Sequence, residues 1–462
     1  MVHSAASGDL GRHGRVFRLI VTGGGSGGHT YPALATVRTL RSRLAAEGRD
    51  LEVTWVGTAG SLEERVAGTE GISFRAVVTG KLRRASSPLK MITAANVRDL
   101  ARVPLGIVQA AGFVRRFRPD AVLATGGYVA VPVSLAARWS RRPLLVHEQT
   151  TRLGLANWIA ARCATRVAVS AETTLRLLPR PARAGAVVTG NPVRPEILRG
   201  RADAAVAALG WRGLDPDLPV VYVTGGAQGS AQVNGLVEGT LPWLLSRANV
   251  IHQCGAASVD QLKQRAALLA PDIAGRYLVT GFIGAELPDV LALADVLVSR
   301  SGAGTLAEIT ALGKAAVLIP LASAAGDEQR HNAQHLTDCG AAVALLGTAT
   351  PDALRNALES LLTDPDLRAR IAASARAQGH PDAAERLADA VLSIAGRSLP
   401  KERFPLAGVH FSASRSKLVT WLASSRVIAG WKGRLSTRLA ARSVRGSARR
   451  QAANASWRWL GG

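Results

Sequence analysis

The chain reads as an α/β protein with two similar halves, each a parallel sheet between helices, facing each other across a cleft. Three observations predict this. Val16–Thr22 is a buried-looking strand running straight into Gly23-Gly24-Gly25-Ser26-Gly27-Gly28-His29 and a helical pattern. Val220–Thr224 runs in the same way into Gly225-Gly226-Ala227-Gln228-Gly229-Ser230. A third glycine turn, Ser301-Gly302-Ala303-Gly304-Thr305, again follows an apolar run. Glycines in that place let backbone N–H groups approach a phosphate closely, while the positive end of the next helix points at it. Two such halves suit one nucleoside diphosphate held between them. With 462 residues the chain is too long for one ordinary core and should divide into two or three domains.

Taken in order, residues 1–15 read as a loose leader without the apolar stretch of a secretory signal. After the first glycine loop, Leu34, Val37, Leu40 and Leu44 recur at helical spacing and give that helix one apolar stripe. Leu51–Val56 is the next strand, and Ala121–Ala124 is a third, ending in Thr125-Gly126-Gly127-Tyr128. Pro143–Gln149 is a further strand that leaves polar groups at its carboxyl end. Ligands of open α/β sheets bind outside the carboxyl ends of the strands, so these loops are expected to share one cleft. The pattern breaks around Gly190-Asn191-Pro192-Val193-Arg194-Pro195, and the polar stretch to Pro219 reads as the interdomain linker. The expected domains are therefore 1–191 and 192–396.

The second half repeats the plan. Val220–Thr224, Val250–Gln253, Leu278–Gly281, Val296–Ser299 and Ala315–Ile319 are strands separated by helical patterns, which implies a parallel sheet covered on both faces. Helical sequence carrying Leu354, Leu358, Leu361 and Leu387 closes this half near Gly396. Residues 397–462 turn to Arg, Ser and Ala with Trp421, Trp431, Trp457 and Trp459 scattered among them. That tail reads either as disordered and basic or as a segment lying on a membrane surface.

Charge narrows the partners. The net charge is +24, and the chain from Lys401 onward carries 13 basic side chains against Glu402 alone, which is half of that total. Arg75–Arg118 is a second basic stretch, with Asp99 its lone acid. An anionic partner follows: nucleic acid, acidic lipid or a phosphorylated substrate. Phosphate-cradling loops without a nucleic-acid motif favour lipid or substrate. No apolar run reaches the roughly 18 residues of a membrane span. Cys163, Cys254 and Cys339 stand in no metal or redox spacing, as expected of unpaired thiols in a reducing compartment.

Each motif has a chemical and a plain reading. Gly23, Gly25 and Gly28 have the spacing of a dinucleotide fingerprint, which also wants an acid at the end of the second strand. Gly57-Thr58 stands there instead, arguing against a nicotinamide enzyme. His29 opens a helix whose positive end disfavours imidazolium, so it is either a neutral base beside a bound pyrophosphate or a capping and orienting group. Thr305 and Glu308 have capping-box spacing, and the same carboxylate could reach a ribose diol. Arg194 is a phosphate partner or a solvated linker charge. Gln329 and Asn332, three apart, would share a helix face and either bind sugar hydroxyls or face solvent. Asp215-Pro216-Asp217 and Asp364-Pro365-Asp366 imitate a metal-binding D-x-D pair, but their proline turns mark them as turn chemistry.

Together these residues resemble the MurG family. The likeness is carried by Gly24–Ala35, Gly126-Gly127-Tyr128-Val129, His147-Glu148-Gln149, Gly190–Arg194, Gly225–Gly229 and Arg300–Glu308, with Gln329 and Asn332, in family order over residues 16–395. The resemblance implies a GT-B glycosyltransferase of two Rossmann-like domains. It implies inverting transfer of N-acetylglucosamine from UDP-N-acetylglucosamine to the muramoyl 4-hydroxyl of lipid I, giving lipid II for the peptidoglycan cell wall. No metal and no cofactor are implied, and no nucleic acid. By the same resemblance Glu308 would hold the ribose, Ile283 the uracil edge, and Ala303, Gly304 and Thr305 the pyrophosphate. Gln329 would hold donor sugar hydroxyls and Arg194 the nucleotide. Ser26, Gly27, Gly28 and His29 would form the acceptor-facing loop, with His29 the candidate catalytic base. On the same resemblance Tyr128, Thr150, Asn157, Ala227, Gln228 and Asn332 would be further substrate-binding positions.

Two departures bear on the acceptor. Thr150 stands where the family usually has an asparagine facing the sugars, and Ala227 replaces a common serine near the nucleotide. A paralogue with the same donor and another lipid or natural-product acceptor therefore stays open, beside a UDP-N-acetylglucosamine 2-epimerase and a non-enzymatic binding protein. Gly80-Lys81-Leu82-Arg83-Arg84 falls in the region that family members press against the membrane. A peripheral protein on the anionic cytoplasmic face of the bacterial membrane is expected, with a polyprenyl-diphosphate-linked acceptor.

Overall fold

The computed structural model describes residues 16–80, 93–321 and 327–395. The basic stretch Lys81–Arg84 and the tail from residue 397 lie outside the described residues. The first lobe begins with β1 (Phe17–Gly23), α1 (Gly27–Ala46), β2 (Leu51–Gly57), α2 (Leu62–Thr69) and β3 (Ser73–Ala76). It continues through α3 (Ala94–Phe117), β4 (Ala121–Gly126), α4 (Ala130–Trp139), β5 (Leu144–Glu148) and α5 (Leu155–Ala161). Then come β6 (Arg166–Val169), α6 (Glu172–Leu175), α7 (Arg180–Arg183) and β7 (Val187–Val188). All these strands pair in parallel, in the order β3-β2-β1-β4-β5-β6-β7.

After a 3-10 turn at Pro195–Arg199 the second lobe starts with α8 (Ala202–Ala208), β8 (Val220–Thr224), α9 (Ala231–Glu238), α10 (Leu241–Leu245) and β9 (Asn249–Gln253). Next are α11 (Val259–Ala266), α12 (Pro271–Ala274), β10 (Tyr277–Thr280), α13 (Leu287–Leu293), β11 (Val296–Ser299) and α14 (Ala303–Leu312). Then follow β12 (Ala315–Leu318), α15 (Glu328–Asp338) and β13 (Val343–Ala344), and α16 (Pro351–Thr363), α17 (Pro365–Ala377) and α18 (Ala383–Ile394) end the chain described. The second sheet is again parallel, in the order β10-β9-β8-β11-β12-β13.

Alternation along β1 explains why Leu19-Ile20-Val21 is an unbroken apolar run. Leu19 and Val21 pack under α1 with Leu34, Val37, Leu40 and Leu44, whereas Ile20 packs under α4 with Val122, Ala130 and Val133. Successive side chains of a strand point to opposite faces, and both faces are covered. In each sheet the strand order reverses beside the first strand, between β1 and β4 and between β8 and β11. A crevice opens at such a switch point. The three glycine loops read from the sequence follow β1, β8 and β11, so all three stand at the two switch points. Among the described residues no helix is long and apolar enough to cross a membrane.

Two expectations are corrected. The stretch from Gly190 to Pro219, read as the interdomain linker, is packed: Val193, Ile197 and Trp211 are buried in the second lobe's core with Val290 and Leu291 of α13. Nor does Leu387 belong with Leu354, Leu358 and Leu361. Those three pack in the second lobe, whereas α18 returns to the first and buries Leu387, Val391 and Ile394 against α1. An apolar stripe announces that a helix is buried without saying against which partner.

Candidate active site

The first switch point is closed by glycine. A Cβ on Gly127 would lie 2.3 Å from the Gly24 carbonyl oxygen, and one on Gly126 would lie 2.9 Å from His29 Cε1. The two loops therefore meet over His29, whose carbonyl accepts the Thr125 hydroxyl at 2.8 Å. The N-cap of α1 is Ser26, with extended backbone and no side-chain cap. Behind the loop lies Glu63, a buried carboxylate missed by the sequence reading, which accepts from Gly25 N–H at 3.2 Å and Thr58 N–H at 3.3 Å. Gly24 N–H goes to the Gly126 carbonyl at 3.3 Å. Two amides of this loop are thus spent inside the lobe, with a negative group behind them, so it is a poorer phosphate cradle than its glycines suggest. Ser26–Gly28 and His29 are what it offers to the cleft.

The carboxyl end of β5 supports His29. His29 Nδ1 lies 2.9 Å from Gln149 Oε1, and the Gln149 amide nitrogen donates to His147 O at 2.9 Å and approaches His147 Nδ1 at 3.0 Å. Glu148, also buried, accepts from Thr150 N–H (3.2 Å), the Thr150 hydroxyl (2.9 Å), Gly154 N–H (3.0 Å) and Asn157 Nδ2 (3.0 Å). A buried carboxylate with four donors is satisfied and pins the loop between β5 and α5. Thr150 is buried, with its hydroxyl held by Glu148 and the Arg152 carbonyl. Asn157 is buried too and also donates to the His147 carbonyl at 3.1 Å, leaving its Oδ1 without a partner among the described residues. Tyr128 stands exposed beside these loops.

The second switch point is open in a different way. The N-cap of α14 is Gly302, which has no side chain to cap with, so the amides of Ala303, Gly304 and Thr305 are left for a ligand. Thr305 is the third residue of that helix rather than its cap, which removes the capping-box reading. Glu308 instead lies 3.7 Å from the Arg194 guanidinium. Burial pushes its carboxyl above the ordinary range, and Arg194 pulls it back. Arg194 also stands over the Tyr31 ring of α1, at 5.6 Å, and so joins the two lobes.

Around this helix start, Ile283 is buried and its N–H donates to Gln253 Oε1 at 3.0 Å, which leaves only the Ile283 carbonyl to meet a base edge. Gln253, another residue the sequence reading missed, ties the second glycine loop as well, donating to Thr224 Oγ1 (3.2 Å) and the Gly226 carbonyl (3.1 Å). Ala227 and Gln228 are exposed at the tip of that loop. Gln329 and Asn332 share the buried face of α15 rather than facing solvent. Gln329 Oε1 accepts from Leu321 N–H at 3.0 Å. Asn332 bridges the lobes: its Oδ1 accepts the Thr151 hydroxyl at 3.0 Å and its Nδ2 donates to the Ser301 carbonyl at 3.3 Å. Asn191 Nδ2 makes a second bridge, to the Ala303 carbonyl at 3.1 Å.

The D-x-D imitations are local. Asp215 accepts from Asp217 N–H and pairs with Arg276 at 2.8 Å, while Asp364 caps α17. Among the described residues no cluster of three or more acidic, histidine or cysteine side chains is placed to hold a metal ion.

Paired parallel-sheet lobes with their switch points set against each other are the architecture of GT-B glycosyltransferases. Family models agree: the glycosyltransferase family 28 N-terminal domain matches residues 19–169 and the family 28 C-terminal domain matches residues 220–387. A crystal structure of MurG from Acinetobacter baumannii is similar over 82% of this chain and 99% of its own, with 27% identity and a TM-score of 0.61. The UDP-N-acetylglucosamine–N-acetylmuramyl-(pentapeptide) pyrophosphoryl-undecaprenol N-acetylglucosamine transferase of Desulforudis audaxviator (strain MP104C) is 34% identical, across 82% of this chain and 99% of the relative. Its counterpart in Salinibacter ruber (strain DSM 13855 / M31) is 36% identical, across 83% and 98%. The chain belongs to this family of N-acetylglucosamine transferases. A protein from Listeria monocytogenes described as a UDP-N-acetylglucosamine 2-epimerase shares the fold alone, at 17% identity and a TM-score of 0.58.

Proposed function

We propose that this chain transfers N-acetylglucosamine from UDP-N-acetylglucosamine, with inversion, to the muramoyl 4-hydroxyl of lipid I, forming lipid II. The observation that carries the reading is an uncapped α14 start, flanked by Glu308 and Arg194, on a helix packed against α1, which begins at the His29 loop of the other lobe. The amides of Ala303, Gly304 and Thr305 and the positive end of α14 stabilise the charge that builds on the departing UDP. Glu308 takes the ribose diol, the Ile283 carbonyl the uracil, Arg194 the nucleotide and Gln329 the donor sugar. Ala227 and Gln228 flank the donor from the second glycine loop. Ser26–Gly28, Tyr128, Asn157 and Thr150 shape the acceptor side, with Asn332 bridging the lobes beside it.

Inversion requires the hydroxyl to attack C1 from the side opposite the diphosphate, while His29 removes its proton. The chain works at the cytoplasmic face of the membrane as a peripheral protein. Leu105 and Val108, exposed on α3, support an apolar contact with lipid there. The test is UDP release from UDP-N-acetylglucosamine with and without a lipid I analogue. Acceptor-dependent release is expected. Release that answers only to a different acceptor would replace lipid I in this reading, and formation of UDP-N-acetylmannosamine would replace transfer by epimerisation.

A further inference from the structure

We propose that Gln149 and His147 are positioning residues: together they form a hydrogen-bond relay of fixed polarity, anchored on the Gly190 carbonyl, that keeps His29 protonated on Nδ1 and leaves Nε2 bare. The inference rests on the reading of His29 as the base. Its logic runs link by link from a group whose role cannot change. The Gly190 carbonyl lies 2.9 Å from His147 Nε2 and can only accept, so that nitrogen carries the proton. His147 is fully buried and burial pushes it down to about 4, so the ring is neutral and its Nδ1 is an acceptor. Gln149 faces two acceptors, His147 Nδ1 at 3.0 Å and His147 O at 2.9 Å, and only its NH2 end can meet both. A flipped amide would set oxygen against oxygen. Its Oε1 is therefore the end that meets His29 Nδ1 at 2.9 Å, and an amide oxygen can only accept. His29 must donate from Nδ1.

The anchor is itself held. Gly190 has φ +78, and a Cβ there would lie 2.3 Å from His380 Cβ, so its carbonyl is locked between the two segments that cross from lobe to lobe. In the transfer step the acceptor oxygen bonds to C1 and the C1–O bond to the diphosphate breaks, its electron pair leaving with UDP. The hydroxyl proton goes to His29 Nε2. The Nδ1 proton stays shared with Gln149 Oε1, and no proton travels along the relay, because the amide is neutral and His147 already holds its own.

The direct test is nitrogen NMR of 15N-histidine-labelled protein, with the His29 signals assigned by their loss in His29→Gln. Wild type is expected to show the Nδ1-protonated tautomer near neutral pH. Gln149→Leu is expected to lose that preference and to lower kcat about tenfold to a hundredfold with KM for UDP-N-acetylglucosamine nearly unchanged. Gln149→Glu places a carboxylate against the ring and should move the acid limb of the kcat/KM profile up by about one pH unit. Among the described residues, His147 of β5 and Glu328 at the start of α15 interact with His29, and Glu328 is also neighboured by Glu148. An Nε2-protonated His29 in wild type overturns the relay even if a variant fails to fold. So does a Gln149→Leu enzyme with normal kcat and an unchanged tautomer. If His29→Gln keeps full kcat, the base reading fails instead, whatever the tautomer.

Discussion

Glu308, proposed to hold the ribose, illustrates how surroundings prepare one side chain for binding. Burial raises its carboxyl above the ordinary range, Arg194 at 3.7 Å opposes part of that rise, and no capping duty occupies its oxygens. A carboxylate in that state is suited to a pair of sugar hydroxyls. Glu308→Gln is therefore expected to raise KM for UDP-N-acetylglucosamine about tenfold or more, with kcat affected much less, and to erase any preference for UDP over dUDP. Equal weakening of both nucleotides in a competition assay would contradict the ribose assignment. At this scale the sequence is informative about residue type and silent about direction. His29 at a helix start beside glycines is readable, as are Arg194 and Glu308. The spacing of Thr305 and Glu308 misleads because α14 starts at Ala303, with Gly302 and not Thr305 as its cap. Thr150 and Asn332 carry groups that could bind sugar, yet their hydrogen bonds go to Glu148 and to Thr151 and Ser301. His147 and Gln149 had a readable signal: they stand two apart at the carboxyl end of β5, His147 in the strand and Gln149 just past it.

Among elements, α18 is the one whose position carries most weight. It closes the first lobe from the far end of the chain, with Leu387 and Val391 fully buried beside α1 and Arg43 paired to Asp389 at 2.7 Å. Leu387→Ala is expected to cost about 2–4 kcal/mol, read as a lower urea midpoint that reports on the first lobe. A change of a few tenths of a kcal/mol would mean that α18 is not integral to that core. Strands flanked by glycine loops are legible because a run buried on both faces is apolar without interruption. β3, largely exposed at a sheet edge, and β7 and β13, two residues each, are not, since they lack both length and burial. The docking of α18 was out of reach for another reason: sequence order places it in one lobe, and packing places it in the other.

On the scale of the whole molecule, two buried histidines make the fold sensitive to acid. His147 and His252 titrate near 6.5 when unfolded, and burial holds each at about 4 in the native state. His252 is fixed between the Tyr277 hydroxyl at 2.8 Å and Asn234 Oδ1 at 3.1 Å. Below 6.5 the unfolded chain binds protons that the folded one refuses, so stability falls as pH drops toward 4 and is level above 6.5. The loss is on the order of 3 kcal/mol per histidine at full extent. Urea denaturation is expected to show this decline between pH 6.5 and 4.5; an unchanged midpoint across that window would contradict it.

The same two-lobed frame decides what the cleft can hold. On the proposed reading its donor half offers main-chain amides, the Arg194 guanidinium and the Glu308 carboxylate, so the diphosphate is expected to supply much of the affinity. Calorimetric titration with UDP and with uridine, both in the presence of EDTA, measures this directly. Saturable binding of UDP, far tighter than that of uridine, is the predicted result. No heat with UDP, or uridine binding as well as UDP, would contradict it.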